Sequence, residues 1–268
     1  MDLGVSRLMN LDLTHLDLAT KGCVFGREIR CFEKISSTQD YAISIAETDP
    51  HCHGMLIISE SQILGRGRKG RRWISPKGGL WFSVITKSER KISSNFFLSY
   101  AMSLAVCETI ANNFKIEAFI KWPNDVLIKE RKVAGVLLSS AIHGEELEYC
   151  VVGVGINLNS RPQLRSSTSL TEQIGQKAIA IEPFLASVLV LFSRYHDQIG
   201  SGNHELITKR WKLRCPMIGK RIRARVNGAQ FNGVASEIDS EGLLTLVTIE
   251  GQKIKISDTQ DASIKIIS

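Results

Sequence analysis

The chain has 268 residues, enough for one large domain with a sizeable core and a smaller second one. Its 43% hydrophobic and 23% charged residues sit at globular averages, which excludes a disordered chain, and no apolar run reaches the roughly twenty residues of a membrane span. A net charge of +7 and a pI near 9.1 favour an anionic ligand or partner, nucleic acid among them.

The N-terminal stretch MDLGVSRLMNLDLTHLDLATKG carries acidic residues and no long apolar core, so it does not read as a secretory signal, and the chain is expected in the cytoplasm. LMNLDLTHLDL is expected to form a short helix packed on the body, with no room for a helix-turn-helix domain. Six cysteines, scattered without a CxxC pair, read as reduced and mostly buried thiols. His51-Cys52-His53 is where metal-ligand types cluster, but adjacent side chains point apart and no second cluster completes a site.

Residues 23–35 are rich in β-branched and aromatic types and predict one or two strands. In the SSTQD that follows, Ser37 is placed to cap a helix with Asp40 three residues on, which leaves backbone N–H groups at Ser37 and Thr38 as a small polar cradle. GMLIISE, 54–60, predicts a buried strand, and Gln62 leaves it just ahead of GRGRKGRRW. That run interleaves Gly65, Gly67 and Gly70 with Arg66, Arg68, Lys69, Arg71 and Arg72 before Trp73. Glycines let the backbone approach a ligand, and guanidiniums suit phosphate or carboxylate oxygens. The run predicts a loop that orders around a polyanion, with Trp73 offering a face for a base. From charge alone, it reads equally as a solvated basic surface or a nucleic-acid patch.

LWFSVIT, 80–86, predicts the next strand, so the basic loop joins two central strands. Residues 96–113 predict the main helix, with Met102 and its aromatics as core. In FIKWPNDVLIKERKVAGVLLSS, Lys121 and the pair Asn124-Asp125 flank Trp122-Pro123 between two strand-like segments. Asp125 reads either as a turn carboxylate or as a ligand for a Mg²⁺ carried in by phosphates. Glu130-Arg131 is expected to turn a hairpin into a strand opened by Lys132 and followed by the small Ala134-Gly135, a cation beside a gap. The run 147–159 ends with Gly153, Gly155 and Asn157, where glycines mark close approach of a ligand or backbone. Two packing helices follow, over 182–199 and 204–213. From about residue 216, four short alternating segments separated by Asn227-Gly228, Ser240-Glu241-Gly242 and Glu250-Gly251 predict a small β-barrel.

Taken together, SSTQD, SESQILGRGRKGRRWISPKGG, KWPNDVLI, RKVAGVLL and GVGINLN resemble the biotin protein ligases, in order, over most of residues 30–160. The resemblance implies an α+β fold: a mixed β-sheet flanked by helices, like the class II aminoacyl-tRNA synthetases, over residues 1–214. A C-terminal barrel of the Src-homology-three type covers 215–268. It implies an enzyme that activates biotin with MgATP as biotinyl-5′-AMP and transfers it to a lysine of a biotin carboxyl carrier protein. By similarity, Ser37, Thr38 and Gln62 bind the biotin head group, Gly65, Arg66 and Arg68 belong to the loop over it, and Gly135 and Gly153 line its slot. Arg68, Arg71, Lys121 and Lys132 attend the reacting phosphate, with Asn124, Trp73 and Asn157 on the nucleotide and Asp125 on Mg²⁺. Gln39 stands where many members have asparagine. A ligase without the family's DNA-binding domain is expected, hence no DNA partner, and the resemblance allows a homodimer. The rival expectations are a lipoate or octanoate ligase of the same fold and a basic nucleic-acid-binding protein, although Phe231 is the barrel's one aromatic residue.

Overall fold

A computed structural model describes residues 16, 20–87, 95–143, 146–239, 242–257 and 262–267. The helix expected over LMNLDLTHLDL lies outside these residues apart from Leu16, which is fully buried.

The apolar runs form a seven-stranded mixed sheet. Its strands are β1 (Ile29–Phe32), β2 (Leu56–Ser59), β3 (Leu80–Thr86), β4 (Phe119–Lys121), β5 (Asp125–Ile128), β6 (Arg131–His143) and β7 (Glu146–Ile156). They lie in the order β1-β2-β3-β7-β6-β5-β4. β1 runs parallel to β2 because helix α1 (Thr38–Thr48) carries the chain back between them; the remaining pairs are antiparallel. The expected N-cap holds: the Ser37 hydroxyl accepts from the Asp40 amide at 3.3 Å.

Each strand residue faces one of two layers. Leu56, Ile58, Phe82, Val84, Val152 and Val154 face the main core beneath α2 (Phe96–Phe114), α4 (Ile181–Gly200) and α5 (His204–Leu213). α2 lies between the sheet and the other two helices, so Met102, Phe97 and Tyr100 are core as expected. Ile57, Ile85 and Val151 face the other way, onto Ala42 and Ala46 of α1. α1 covers only part of this second face, and the uncovered part carries the site. α3 (Leu170–Ile174) sits beside it, its Leu170 amide bonded to the carbonyl of Asn157.

The β5–β6 hairpin turns one residue earlier than expected. Lys129 and Glu130 take the left-handed turn positions, with φ of 47° and 63°, and Arg131 already belongs to β6. Two non-glycine residues at these angles run against the usual Asn-Gly preference, which hid the turn from its sequence.

The C-terminal strands β8 (Arg221–Val226), β9 (Ala229–Ile238), β10 (Leu244–Thr248), β11 (Lys253–Ile256) and β12 (Ala262–Ile266) form an antiparallel sheet in the order β11-β10-β9-β8-β12. Asn227-Gly228 makes the expected tight turn, both residues having positive φ. The inward residues Ile222, Ala224, Leu244, Leu246 and Ile256 join the same buried cluster as the large sheet. Tyr100 Oη and Trp122 Nε1 both donate to the carbonyl of Gly242, at 3.2 Å each, fastening this unit to α2 and to the turn after β4.

Candidate active site

Where α1 stops, the face of the large sheet is lowered by three glycines, Gly135, Gly153 and Gly155. Register places Lys121 opposite Asp125, Asp125 opposite Gly135, Gly135 opposite Gly155 and Gly155 opposite Trp81, a row that crosses five strands. The neighbouring row sets Gly153 between Leu137 and Ser83. Above these rows lies a cavity of about 810 Å³. Every residue to which the resemblance gave a site role lines it except Gly65.

The basic stretch forms the cavity's lid, and it is not a bare loop. Trp73 N–H bonds Gly65 O at 2.8 Å, Gly67 N–H bonds Arg71 O at 2.7 Å, and Arg66 bridges to Arg72, so the run is a small hairpin with a 3₁₀ turn at Arg68–Gly70. Gly65 serves this hairpin: a Cβ there would stand 2.5 Å from the Trp73 carbonyl oxygen. Arg66 reaches Asp40 in the first turn of α1, with its Nε 2.8 Å from the carboxylate. Arg68 donates to Asn124 Oδ1 at 3.3 Å, tying the lid to the turn after β4. Asn124 is itself anchored, since its amide donates to Val136 O.

The two ends of the cavity differ in chemistry. At one end, the nearly buried Thr38 gives its backbone N–H to Gln62 Oε1 at 2.8 Å, and its hydroxyl contacts Ser83 Oγ at 3.0 Å. Ser37 lies beside them, so the side chains that hydrogen-bond one another here are neutral. At the other end Lys132 Nζ stands 2.6 Å from Asp125 and 4.6 Å from the centroid of the Trp73 ring. Lys121, Arg68 and Arg71 add positive charge to that wall. An elongated molecule with a neutral, hydrogen-bonding head and an anionic tail meets complementary groups along this axis.

Three of the expected site residues have neighbours of their own in the protein. Gly135 was expected to keep a slot open, but the space above it holds Trp73 and Lys132, 3.0 Å and 3.2 Å from where a Cβ would be. The Trp73 indole lies on Gly155 as well, and its Nε1 is buried with no hydrogen-bond partner among the described residues. The Asn157 amide donates to Thr168 O at 3.1 Å, which fixes the loop beneath the cavity.

Sequence reasoning noted Gln39 as a departure without giving it a role, and missed Ser83 and the rim formed by Ala262, Ser263 and Ile264 of β12, all of them cavity-lining. Ser83 did leave a signal, being a hydroxyl within the otherwise apolar start of β3, LWFSVI. β12 left none, because its approach depends on how the C-terminal unit packs.

Residues 31–157 match the family model described as the biotin/lipoate A/B protein ligase family. The chain is 32% identical over 237 residues to a bifunctional ligase/repressor, BirA, of Bacillus subtilis, covering 86% of this chain and 72% of that protein. It is 30% identical to a biotin–[acetyl-CoA-carboxylase] ligase of Paracoccus denitrificans, over 74% of this chain and 86% of the relative. The structure superposes on a biotin protein ligase of Aquifex aeolicus in complex with biotin and ATP with a TM-score of 0.74, at 24% identity, covering 90% of this chain and all of the other. That likeness bears out the expected fold, a mixed sheet flanked by helices with a small C-terminal antiparallel unit.

Proposed function

The chain belongs to the biotin/lipoate A/B protein ligase family, and we propose that within it this protein is a biotin protein ligase, forming biotinyl-5′-AMP from biotin and ATP and passing the biotinyl group to a lysine of a carrier protein. The observation that carries this reading is the polarity of the cavity, with a cluster of neutral hydrogen-bonding groups at one end and cations at the other.

The biotin head sits among Ser37, Thr38 and Gln62, and its valeryl chain runs over the glycine floor toward Lys132. There the carboxylate oxygen attacks the α-phosphorus of ATP, the bond to the bridging oxygen breaks, and pyrophosphate leaves. Lys132 leaves Asp125 to meet the carboxylate and α-phosphate, while Arg68, Arg71 and Lys121 neutralise the charge that builds on the phosphoryl oxygens. Trp73 takes the adenine face and Asn124 holds Arg68 in place. In the second step the neutral ε-amine of the carrier lysine attacks the acyl carbon, the acyl–phosphate bond breaks, AMP leaves and the amine loses a proton. The hairpin lid keeps water from the anhydride between the steps.

The described residues hold no group of three or more His, Cys, Asp or Glu fit to bind a metal by themselves. A lone Asp125 in the cavity does fit a Mg²⁺ that arrives on nucleotide phosphates, since such ions take only one or two protein carboxylates. Bound there, Mg²⁺ would screen the phosphate charge.

The carrier's biotin-accepting domain is the proposed protein partner, and the division into residues 1–214 and 215–268 the proposed domain plan. The six free thiols support a reducing compartment such as the cytoplasm. The test is ATP–pyrophosphate exchange with biotin, lipoate or octanoate supplied separately. Exchange with biotin alone is expected; exchange with lipoate or octanoate instead would replace the substrate.

A further inference from the structure

Gln39 lies under the neutral end of the cavity with 4% of its surface exposed, and its orientation is forced by the backbone. The carbonyl of Val151 can only accept, so the Gln39 group 3.1 Å from it is the amide NH₂. The second hydrogen of that NH₂ goes to Ser139 Oγ at 3.0 Å. Gln39 Oε1 therefore faces Ser83, whose hydroxyl donates to it at 3.2 Å. Gln62 is pinned the same way, because the Thr38 backbone N–H can only donate, which turns Gln62 Oε1 toward it. The Thr38 hydroxyl then has two acceptors in reach, Ser83 Oγ at 3.0 Å and Gln62 Oε1 at 3.1 Å.

The protons can be counted. Ser83 and Thr38 have one hydroxyl hydrogen each. Ser83 spends its own on Gln39, and Thr38 spends its own on Ser83 or Gln62. Neither is left for a ligand, so these two groups offer it lone pairs only. Ser37 differs: its oxygen accepts the Asp40 amide as a helix cap, and its hydrogen has no acceptor among the described residues. Gly153 belongs to this device, since a Cβ there would stand 2.2 Å from Gln39 Oε1.

We propose that Gln39 is a positioning residue that sets substrate specificity: by holding the Ser83 hydrogen it makes the Ser83 and Thr38 oxygens acceptors toward the ligand, with the Ser37 hydroxyl as a donor beside them. The proposal rests on the function proposed above and names what selects the acid. A cyclic urea matches this surface, with two N–H donors for the acceptors and a carbonyl for Ser37. An alkyl tail or a dithiolane ring brings no N–H and would leave the oxygens desolvated and unpaired.

The test is steady-state adenylation by the full chain and by Gln39→Met, which keeps length and volume but has no amide, with thermal melts to establish folding. Three acids are compared: biotin, desthiobiotin, which keeps both urea N–H groups, and biotin methylated on one urea nitrogen. With Gln39→Met, KM for biotin and for desthiobiotin should rise about 10- to 100-fold, with KM for ATP within about twofold. The penalty for methylating the urea should shrink by at least about fivefold relative to wild type, which mere loosening of the fold would not produce. If Gln39→Met is too unstable, Ser83→Ala, which removes the oriented hydroxyl, should shrink the same penalty. An active wild type whose methylation penalty is unchanged in either variant overturns the role of Gln39 and leaves the ligase reading standing. A wild type that does not adenylate biotin overturns both.

Discussion

The Lys132 ammonium rests 2.6 Å from the Asp125 carboxylate, and each side chain is 29% exposed. The contact parks the cation that must meet the reacting carboxylate and α-phosphate. Lys132→Met should therefore lower the rate of biotin adenylation about 10²- to 10³-fold, the scale for losing one preorganised charge at a developing oxyanion. Asp125→Asn removes that resting contact but keeps the Lys132 charge for the reaction, and should instead raise the Mg²⁺ concentration needed for half-maximal exchange. A Mg²⁺ profile that does not move would remove Asp125 from the metal.

Trp73 and Gly155 make a second test. A methyl group at Gly155 would fall 2.5 Å from the indole Nε1, so Gly155→Ala lifts the ring off the floor. KM for ATP should rise about tenfold, by analogy with the loss of a base-stacking contact, while KM for biotin changes little. Tryptophan emission should also move to longer wavelength. Unchanged ATP kinetics would separate Trp73 from the adenine.

Much of this site was legible in the sequence because its chemistry is carried by contiguous motifs. SSTQD, the basic hairpin and KWPND each hold several functional residues within ten positions, and the strands between them are plain apolar runs. What was hidden depends on pairs distant in sequence. Gln39 meets Val151, and Ser139 meets Gln39, only because β6 and β7 pass beneath α1. No local pattern marks a glutamine as a donor locked to a carbonyl more than a hundred residues away. The order within the basic stretch was hidden for a different reason: its glycines have poor strand propensity, and its hairpin is held by backbone bonds from Gly65 to Trp73.

Arg68 links the lid to Asn124, and the contact is partly buried. Arg68→Ala unhooks the lid on the side where the adenylate forms. The variant should release biotinyl-AMP into solution, seen as free adenylate by chromatography and as biotin on lysines of an unrelated bystander protein. Full retention of the adenylate would rule out the lid as a barrier to its loss.

The carbonyl of Gly242 receives hydrogen bonds from both Tyr100 and Trp122. Tyr100→Phe leaves the second donor in place and should cost about 1 kcal/mol of unfolding free energy. Adding Trp122→Phe leaves a buried carbonyl unpaired, so the double variant should lose more than the sum of the singles. Additive losses in chemical denaturation would show that the two donors act independently.

Alkaline pH probes the core directly. Burial raises the Cys31 thiol to about 11 and the Cys215 thiol to about 12, pushes Cys107 up further in the same direction, and together with Glu108 raises Tyr195 to about 12. All four hold their protons in the fold at a pH where the unfolded chain has begun to lose them, so the folded state binds more protons. Stability contributed this way is full below about pH 9 and falls as pH rises through the folded values, at about 1.4 kcal/mol per pH unit for each group fully ionised on unfolding. The midpoint of thermal unfolding should therefore drop steadily between about pH 9 and 11. Cys31→Ala should flatten that slope, since it removes one of the groups whose proton is lost on unfolding. A midpoint that holds level over this range would mean that the thiols ionise in the fold as readily as in the unfolded chain.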